Sequence, residues 1–501
     1  MSSRAREAGR STAHHTPPSF TGPAGTPGPA STPDAPGPAE QVATATVSTV
    51  ATVTAAAAIG AGRTLAMTPH VPLVPLAALF TVGYLPACLV PTIATRLIGD
   101  FGLTATQAGS VGSALLLASA AAGIALAGRV AAIGPARLAR AGLTLLTCGF
   151  TLAAVAPDGA VPLLVAGCLL GGLGAGTASA VAGTGVAAAA DPHRASVLAL
   201  LVTSAVAAGL YLLLPRLGDS HAMPFLALAA LGPLARPLLA SLPGSTTTGP
   251  ALQPGPTSAP ASVPAPPPTA ACGLPHRAAG LLLAATTVFW AVAQNALWGV
   301  SGQIGLHQVG FSERELGLVF AVALAGGLFG VLASAALGNR IGRALPLGLG
   351  TAAIAGCVAV SAAARSATGF AGGEVLWNAL YPLVLTYLIG LAAELDPAGR
   401  WTVLVGSASA FGVACGPLTG ATLLVDLGCP RLAAVLGGTL LLTAGPLVLL
   451  ARAFGTPPGP PAAAVPLPTP RSPDPCTPDP CTTDPSTPEP RPPDPVAASA
   501  A

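Results

Sequence analysis

Residues 308–321 read QVGFSERELGLVFA, and 208 positions earlier, at 100–113, the chain reads DFGLTATQAGSVGS. In that register Gly310, Ser312, Glu315 and Gly317 fall on Gly102, Thr104, Gln107 and Gly109. Each copy has a Ser or Thr followed three residues later by Glu or Gln, the pattern in which two side chains reciprocally bond the free amides of a helix start. A helix is therefore predicted to begin at each copy. The same shift lays Ile341 and Gly342 over Ile133 and Gly134, while a shift of 205 lays Asp396 and Pro397 over Asp191 and Pro192, with Arg400 and Arg194 close behind. Matches that recur in order along the chain point to an internal duplication.

What is duplicated is apolar. The chain has 501 residues, 52% of them hydrophobic and only 8% charged, and a mean hydropathy of +0.70. A water-soluble core does not account for such a composition, and a net charge of +3 spread over this length offers no basic stripe to neutralise a row of phosphates. Nucleic-acid binding is excluded as a main function. All 21 basic residues are Arg, so no phosphate-binding loop that requires Lys can be complete.

From His70 onward, apolar stretches of about 20 residues recur, each long enough to cross a hydrocarbon core of about 30 Å as a helix. Twelve are read, at 71–98, 107–127, 138–156, 161–183, 196–217, 222–241, 278–301, 314–337, 345–364, 370–393, 401–424 and 431–453. The expected fold class is an all-α polytopic membrane protein of twelve transmembrane helices in two six-helix pseudo-symmetric halves, 70–241 and 278–454. Pro-rich stretches that can neither pack nor span frame them: a leader at 1–69, a linker at 242–277 and a tail at 455–501. The Thr- and Ala-rich run at 42–62 reads as part of the leader, and Met67, just before the first strong segment, is a second candidate start.

Arg near helix ends is biased toward the cytoplasm. Arg63, Arg129, Arg137, Arg140, Arg194, Arg236, Arg277, Arg340, Arg343, Arg400 and Arg452 fall on one side, against Arg96, Arg216, Arg314, Arg365 and Arg431 on the other. Both termini and the linker are therefore expected in the cytoplasm. Cys88, Cys148, Cys168, Cys357 and Cys415 sit in apolar runs, and Cys476 and Cys481 sit in a repetitive tail. Neither group has zinc or disulfide spacing, and no metal or cofactor is expected.

The LGNRIGR run at 337–343 follows the eighth segment. With the six-plus-six pattern and central linker, it resembles the cytoplasmic signature of the major facilitator superfamily of secondary transporters, over about 70–453. Asn339, Arg340, Gly342 and Arg343 fall on that signature, with Asn in place of its Asp; the resemblance implies a gating role for them at the inner side. The first-half copy keeps only Gly134, with Ala131, Ala132 and Pro135 at the other positions. AGCLLGGLGAG at 166–176 resembles a second pattern of the superfamily without its Arg, and its glycines, at helical spacing, predict close helix packing. FGVACGPLTG at 411–420 is similar to a pattern of the superfamily's antiporters but lies in the eleventh segment rather than the fifth, where it predicts a bend or tight packing.

Polar residues inside spanning helices face the bundle, because a carboxylate at mid-membrane costs about 2.5–3.5 kcal/mol on insertion scales. The tenth segment carries Glu374, Trp377, Asn378 and Tyr381 on one face, and the seventh carries Trp290, Gln294 and Trp298, with Asn295 beside them. The first segment adds Tyr84, Cys88, Thr92 and Thr95. The resemblance implies that the first, fourth, seventh and tenth segments line a central cavity, so the candidate substrate-binding residues are Tyr84, Thr92, Trp290, Gln294, Asn295, Trp298, Trp377, Asn378 and Tyr381. Glu374 is the candidate proton carrier; its alternatives are an interfacial carboxylate or a partner for Arg96. For the tryptophans, the alternative is anchoring at the lipid interface, which suits Trp298 better than Trp290.

The function expected is secondary active transport of a small, neutral or mildly amphipathic organic solute, by alternating access in the plasma membrane, proton-coupled and in the direction of efflux. The expected partners are the solute, protons and the bilayer, and the expected state is a monomer. A non-transporting sensor derived from a carrier stays open at this level. A membrane-embedded enzyme would need clustered His, Asp or Glu to activate water or a nucleophile, and the sequence supplies none.

Overall fold

The computed structural model describes residues 73–189, 191–241, 276–338, 340–396 and 399–454. The leader, including 42–62 and Met67, lies outside them, as do linker residues 242–275, the tail with Cys476 and Cys481, and also Asn339 and Pro397.

The first half consists of α1 (Leu73–Cys88), α2 (Val90–Gly99), α3 (Ala105–Ala127), α4 (Val130–Ile133), α5 (Pro135–Ala154), α6 (Val161–Ala187), α7 (Pro192–Leu217) and α8 (Ala222–Ala235), which tightens into a 3-10 turn at Arg236–Ser241. The second half has α9 (Arg277–Gln303) with a π-helical extension (Ile304–Val309), α10 (Glu313–Leu337), α11 (Ala344–Ala363), α12 (Ala367–Leu395) and α13 (Arg400–Phe454). No strand occurs among the described residues.

Nine of these helices are long and apolar enough to cross a bilayer, or ten if the bent pair α1–α2 is one span. Two local features lower this count below the sequence expectation. The 55-residue α13 contains a break at Gly428, where the backbone is non-helical, and α5 carries Arg137 and Arg140 in its first turns. Asp426 and Arg431 are exposed and flank that break.

The duplication reappears as repeated backbone devices. Thr104 with Gln107 and Ser312 with Glu315 both form complete capping boxes, at the starts of α3 and α10. Gly102 and Gly310 precede them with φ of +73° and +81°, and Gly134 and Gly342 match at +99° and +66°, a region where a Cβ is costly. Asp191 accepts the amide of Arg194 and pairs with its guanidinium. Asp396 does the same for Arg400.

Glycines let the helices meet. A Cβ on Gly167, Gly171 or Gly174 of α6 would fall within 2.5 Å of Ala153, Phe150 or Leu146 on α5, which is the close packing predicted for that run. Gly412, Gly416 and Gly420 of α13 abut Val288, Ala291, Asn295 and Ala296 on α9 in the same way. Beside them Pro417 lies against Gly299 and Gly112, and the amide of Leu418 donates to Ser113 Oγ at 2.9 Å, joining α13 to α3. Without a hydrophobic drive between helices in lipid, this contact surface is what holds such a bundle together.

Gly420→Ala is therefore expected to lower the melting temperature of the purified protein, since its Cβ would lie 2.0 Å from the Ala296 carbonyl and overpacking costs about 1–3 kcal/mol. Gly438→Ala, with open space at its Cβ, is expected to leave it unchanged. Equal melting temperatures for the two variants would contradict this packing.

Candidate functional site

The bundle end that carries the 100–104, 218–221 and 304–312 connections is called the upper end below. There the bend of about 45° between α1 and α2 shapes the site. Pro91 has no amide hydrogen, so the Ala87 carbonyl lacks its intrahelical donor. It accepts Trp298 Nε1 of α9 instead, at 3.1 Å. The neighbouring Cys88 carbonyl accepts the hydroxyl of Tyr211 on α7. The bend also divides the polar residues of the first segment, leaving Tyr84 and Cys88 on α1 and Thr92 and Thr95 on α2.

Above the bend the two halves are in contact. α2 packs on α9, α7 on α10 and α3 on α13, whereas α1 packs mainly on α6 and α7 of its own half. Trp298 stands edge-on to both Trp377 and Phe320, and Phe320 leans on Tyr211, with ring centroids 5.9, 5.2 and 5.1 Å apart. All four rings are buried. Trp298 is thus an interhelical contact and not a lipid anchor. Trp377 Nε1 donates to Gln294 Oε1 at 2.8 Å, and Gln294 Nε2 donates to the Trp290 carbonyl at 3.0 Å.

Glu374 lies within this layer and is fully buried. Its Oε1 is 2.8 Å from Ser301 Oγ, and its Oε2 has no hydrogen-bond partner. None of the ion pairs among the described residues involves it. Pairing with Arg96 is overturned: buried Arg96 binds Asp219 at 3.1 Å and Glu313, across the two halves. Thr92, Thr95, Arg96 and Tyr211 line a cavity of about 30 Å³ next to Glu313 and Phe320, room for about one water.

Below this layer the candidates Tyr84, Asn295, Asn378 and Tyr381 are incompletely covered. Tyr84 stays 47% exposed. Tyr84 stacks on Phe80 at 5.2 Å and Tyr381 on buried Trp290 at 5.3 Å. Asn295 Nδ2 and Asn378 Nδ2 donate to the Ala291 and Glu374 carbonyls of their own helices.

The signature residues lie at the opposite end. Arg343 pairs with Glu394 of α12 at 2.8 Å, and Tyr387 donates to the Gly338 carbonyl at 2.7 Å, so both bonds stay within the second half. Gly342 is buried in the turn, and Arg340 is exposed. Tyr211, Phe320, Ser301 and the Arg96–Asp219–Glu313 cluster are site features that sequence reasoning did not single out. Tyr211 stands within an apolar run, GLYLLLP, and was the one with a readable signal.

No protein-family model matches this sequence, and no curated protein matches it. Among solved structures, the chain is similar to the xylose transporter XylE from E. coli in an inward-open conformation, with a TM-score of 0.55 at 15% identity over 76% of this chain and 95% of that one. It is also similar to a bacterial homologue of the human lysosomal transporter spinster, inward-facing and unoccupied, with a TM-score of 0.51 at 14% identity over 76% and 95%. A third likeness is to the human organic anion transporter MFSD10, with a TM-score of 0.52 at 16% identity over 75% and 98%. The fold is that of the major facilitator transporters.

Asp100, at the upper end, is held by His221. Asp100 Oδ2 accepts the His221 amide at 2.7 Å and meets His221 Nδ1 at 2.8 Å. The amide bond, then the ring bond, hold Asp100 below its ordinary value. A carboxyl depressed by folding adds stability that is complete above the unfolded value of about 4 and is lost as pH falls through the folded one. Thermal melts between about pH 5 and 2 are therefore expected to fall more steeply for the wild type than for Asp100→Asn. Parallel curves would contradict this role.

Proposed function

We propose that the chain is a secondary carrier of a small organic solute that works by alternating access. The observation that carries this reading is the asymmetry of contact between the halves. They are joined at the upper end by Arg96 with Glu313 and by Trp298 with the Ala87 carbonyl, whereas below that layer Tyr84, Asn295, Asn378 and Tyr381 are left incompletely covered. A site reached from one end only, between two similar six-helix units, is what rocking of those units would expose to each side in turn.

The bias of Arg toward the lower end assigns that end to the cytoplasm, in the cell membrane, with both termini on the same side. On this reading the molecule stands in a state closed outward and open inward. Tyr84, Asn295, Asn378 and Tyr381 are the solute contacts in this state. Trp298, Trp377, Gln294, Trp290 and Thr92 form or back the closed layer. Arg340 and Arg343 stand where a closing inner gate would engage them, with Gly342 providing the turn.

Glu374 is the proton-coupling group of this reading. Ser301 Oγ lies 3.0 Å from the Leu297 carbonyl and 2.8 Å from Glu374 Oε1. A hydroxyl has one hydrogen, so a protonated Glu374 that donates to Ser301 Oγ would leave that hydrogen to the Leu297 carbonyl. Opening the upper layer would wet the carboxyl and let the proton leave, and closing it would demand one again, since an unpaired charge there is expensive.

Purified protein screened for solutes that raise its melting temperature supplies a substrate by mass action. With that substrate, Glu374→Gln is expected to lose accumulation driven by a pH gradient in proteoliposomes and the pH dependence of binding, while counterflow persists. Gradient-driven accumulation by the variant equal to that of the wild type would contradict coupling through Glu374.

A further inference from the structure

We propose that the lower end of the first half binds an anionic phospholipid, whose phosphate sits on a cluster of arginines at the foot of α5. The site is separate from the solute site and does not depend on it. Arg137 and Arg140 are exposed and stand one turn apart on α5, a spacing that brings their Cβ atoms to about 5–6 Å. Exposed Arg129 precedes the one-turn helix α4, which packs against α5. Exposed Arg236 opens the 3-10 turn at the end of α8, and that turn packs against α5 as well. None of the four takes part in an ion pair among the described residues. Like charges one turn apart on a helix repel, so the arrangement calls for a counter-charge.

Among the described residues the protein does not supply one. The carboxylates at this end are Asp191, Glu394 and Asp396, and each is bonded to another arginine: Arg194, Arg343 and Arg400. The duplication shows what differs. In the second half Arg343 is neutralised within the bundle by Glu394 at 2.8 Å. In the first half Pro135 falls at the position of Arg343, and buried Ala189 at that of Glu394. The arginines of the first half stand outside instead, with no acid behind them. Above them the same face of α5 continues into the bilayer as Ala141, Thr144, Leu145 and Cys148, all exposed. Thr144 Oγ donates to the Arg140 carbonyl at 2.8 Å, so its hydroxyl is spent within the helix and the stripe can lie against an acyl chain. Charge at the foot and an apolar stripe rising from it fit a phospholipid along α5. The forked donors of Arg match phosphate oxygens, and anionic leaflets attract basic residues at their surface. A free phosphate would use the foot alone, and an acidic protein segment would leave the stripe unused.

The test titrates the purified full-length chain, in a neutral detergent, with dioctanoylphosphatidylglycerol and reads bound lipid by native mass spectrometry. Dioctanoylphosphatidylcholine, whose choline cancels the phosphate charge, is expected to bind about tenfold more weakly. Arg137→Gln and Arg140→Gln are each expected to weaken phosphatidylglycerol binding by about fivefold. Arg137→Lys, which keeps the charge, is expected to lose less than Arg137→Gln, and melting curves report misfolding independently. Arg277→Gln removes an exposed arginine at the same end but outside the cluster, and is expected to change affinity by less than about twofold. Equal weakening by Arg277→Gln would reduce the effect to diffuse surface charge and overturn the proposal. So would equal binding of the two lipids, or full affinity in the Arg137→Gln, Arg140→Gln double variant. Displacement of the lipid by glycerol phosphate at equal concentration would assign the cluster to a free phosphate and overturn the lipid.

Discussion

A single missing amide hydrogen organises the upper half of this bundle. Because Pro91 cannot donate to Ala87, the first span bends and leaves a part-buried carbonyl without its helical donor. Leaving a buried carbonyl unpaired costs about 1–3 kcal/mol. The chain meets that demand with the indole of Trp298, from the other half. One helix's deficit thereby becomes a bond between halves, and Trp298 is fixed where it can contact Trp377 and Phe320. The aromatic layer that encloses Glu374 follows from the bend.

The same bond is conditional. Nothing covalent or deeply interlocked ties Ala87 to Trp298, and the Arg96 cluster above it is two carboxylates around one guanidinium, with Asp219 almost fully exposed. Such contacts can be exchanged for water when the halves part. By contrast, the contacts of α13 with α9 are backbone against backbone at Gly412, Gly416 and Gly420, and α5 with α6 meet likewise. At the upper end the halves also meet through glycines, Gly109 against Pro417, Gly302 against Pro91 and Gly317 against Tyr211, so parting them exchanges close packing as well as polar bonds.

The sequence disclosed the fold more readily than the site. Apolar run length and the capping pairs Thr104–Gln107 and Ser312–Glu315 located helices, because each depends on local chemistry that appears in the structure as read. The polar stripe Trp290, Gln294, Trp298 and the stripe Glu374, Trp377, Asn378, Tyr381 were legible for the same reason, since 3.6-residue periodicity survives in any bundle. Their division into a closed layer and an open wall was not legible. It depends on which residues of other helices arrive: Tyr211 beside Cys88, Phe320 beside Trp298, and Ser301 beside Glu374. Arg96 shows the limit most clearly. Its acidic partners stand 123 and 217 positions away, and the alternative weighed from sequence, a pairing with Glu374, named the wrong carboxylate.

The central claim is that the halves, among the described residues, are joined at the upper end and exchange this for closure at the lower. Pulsed electron spin distances in nanodiscs test it directly, with nitroxide labels at exposed Gly99 and Arg314 above and at exposed Ala132 and Ile341 below, in a cysteine-free chain. The account predicts two populations for each pair, and Arg96→Gln shifting the upper pair to longer and the lower pair to shorter distances together. One narrow distribution for each pair, unmoved by Arg96→Gln, would contradict it.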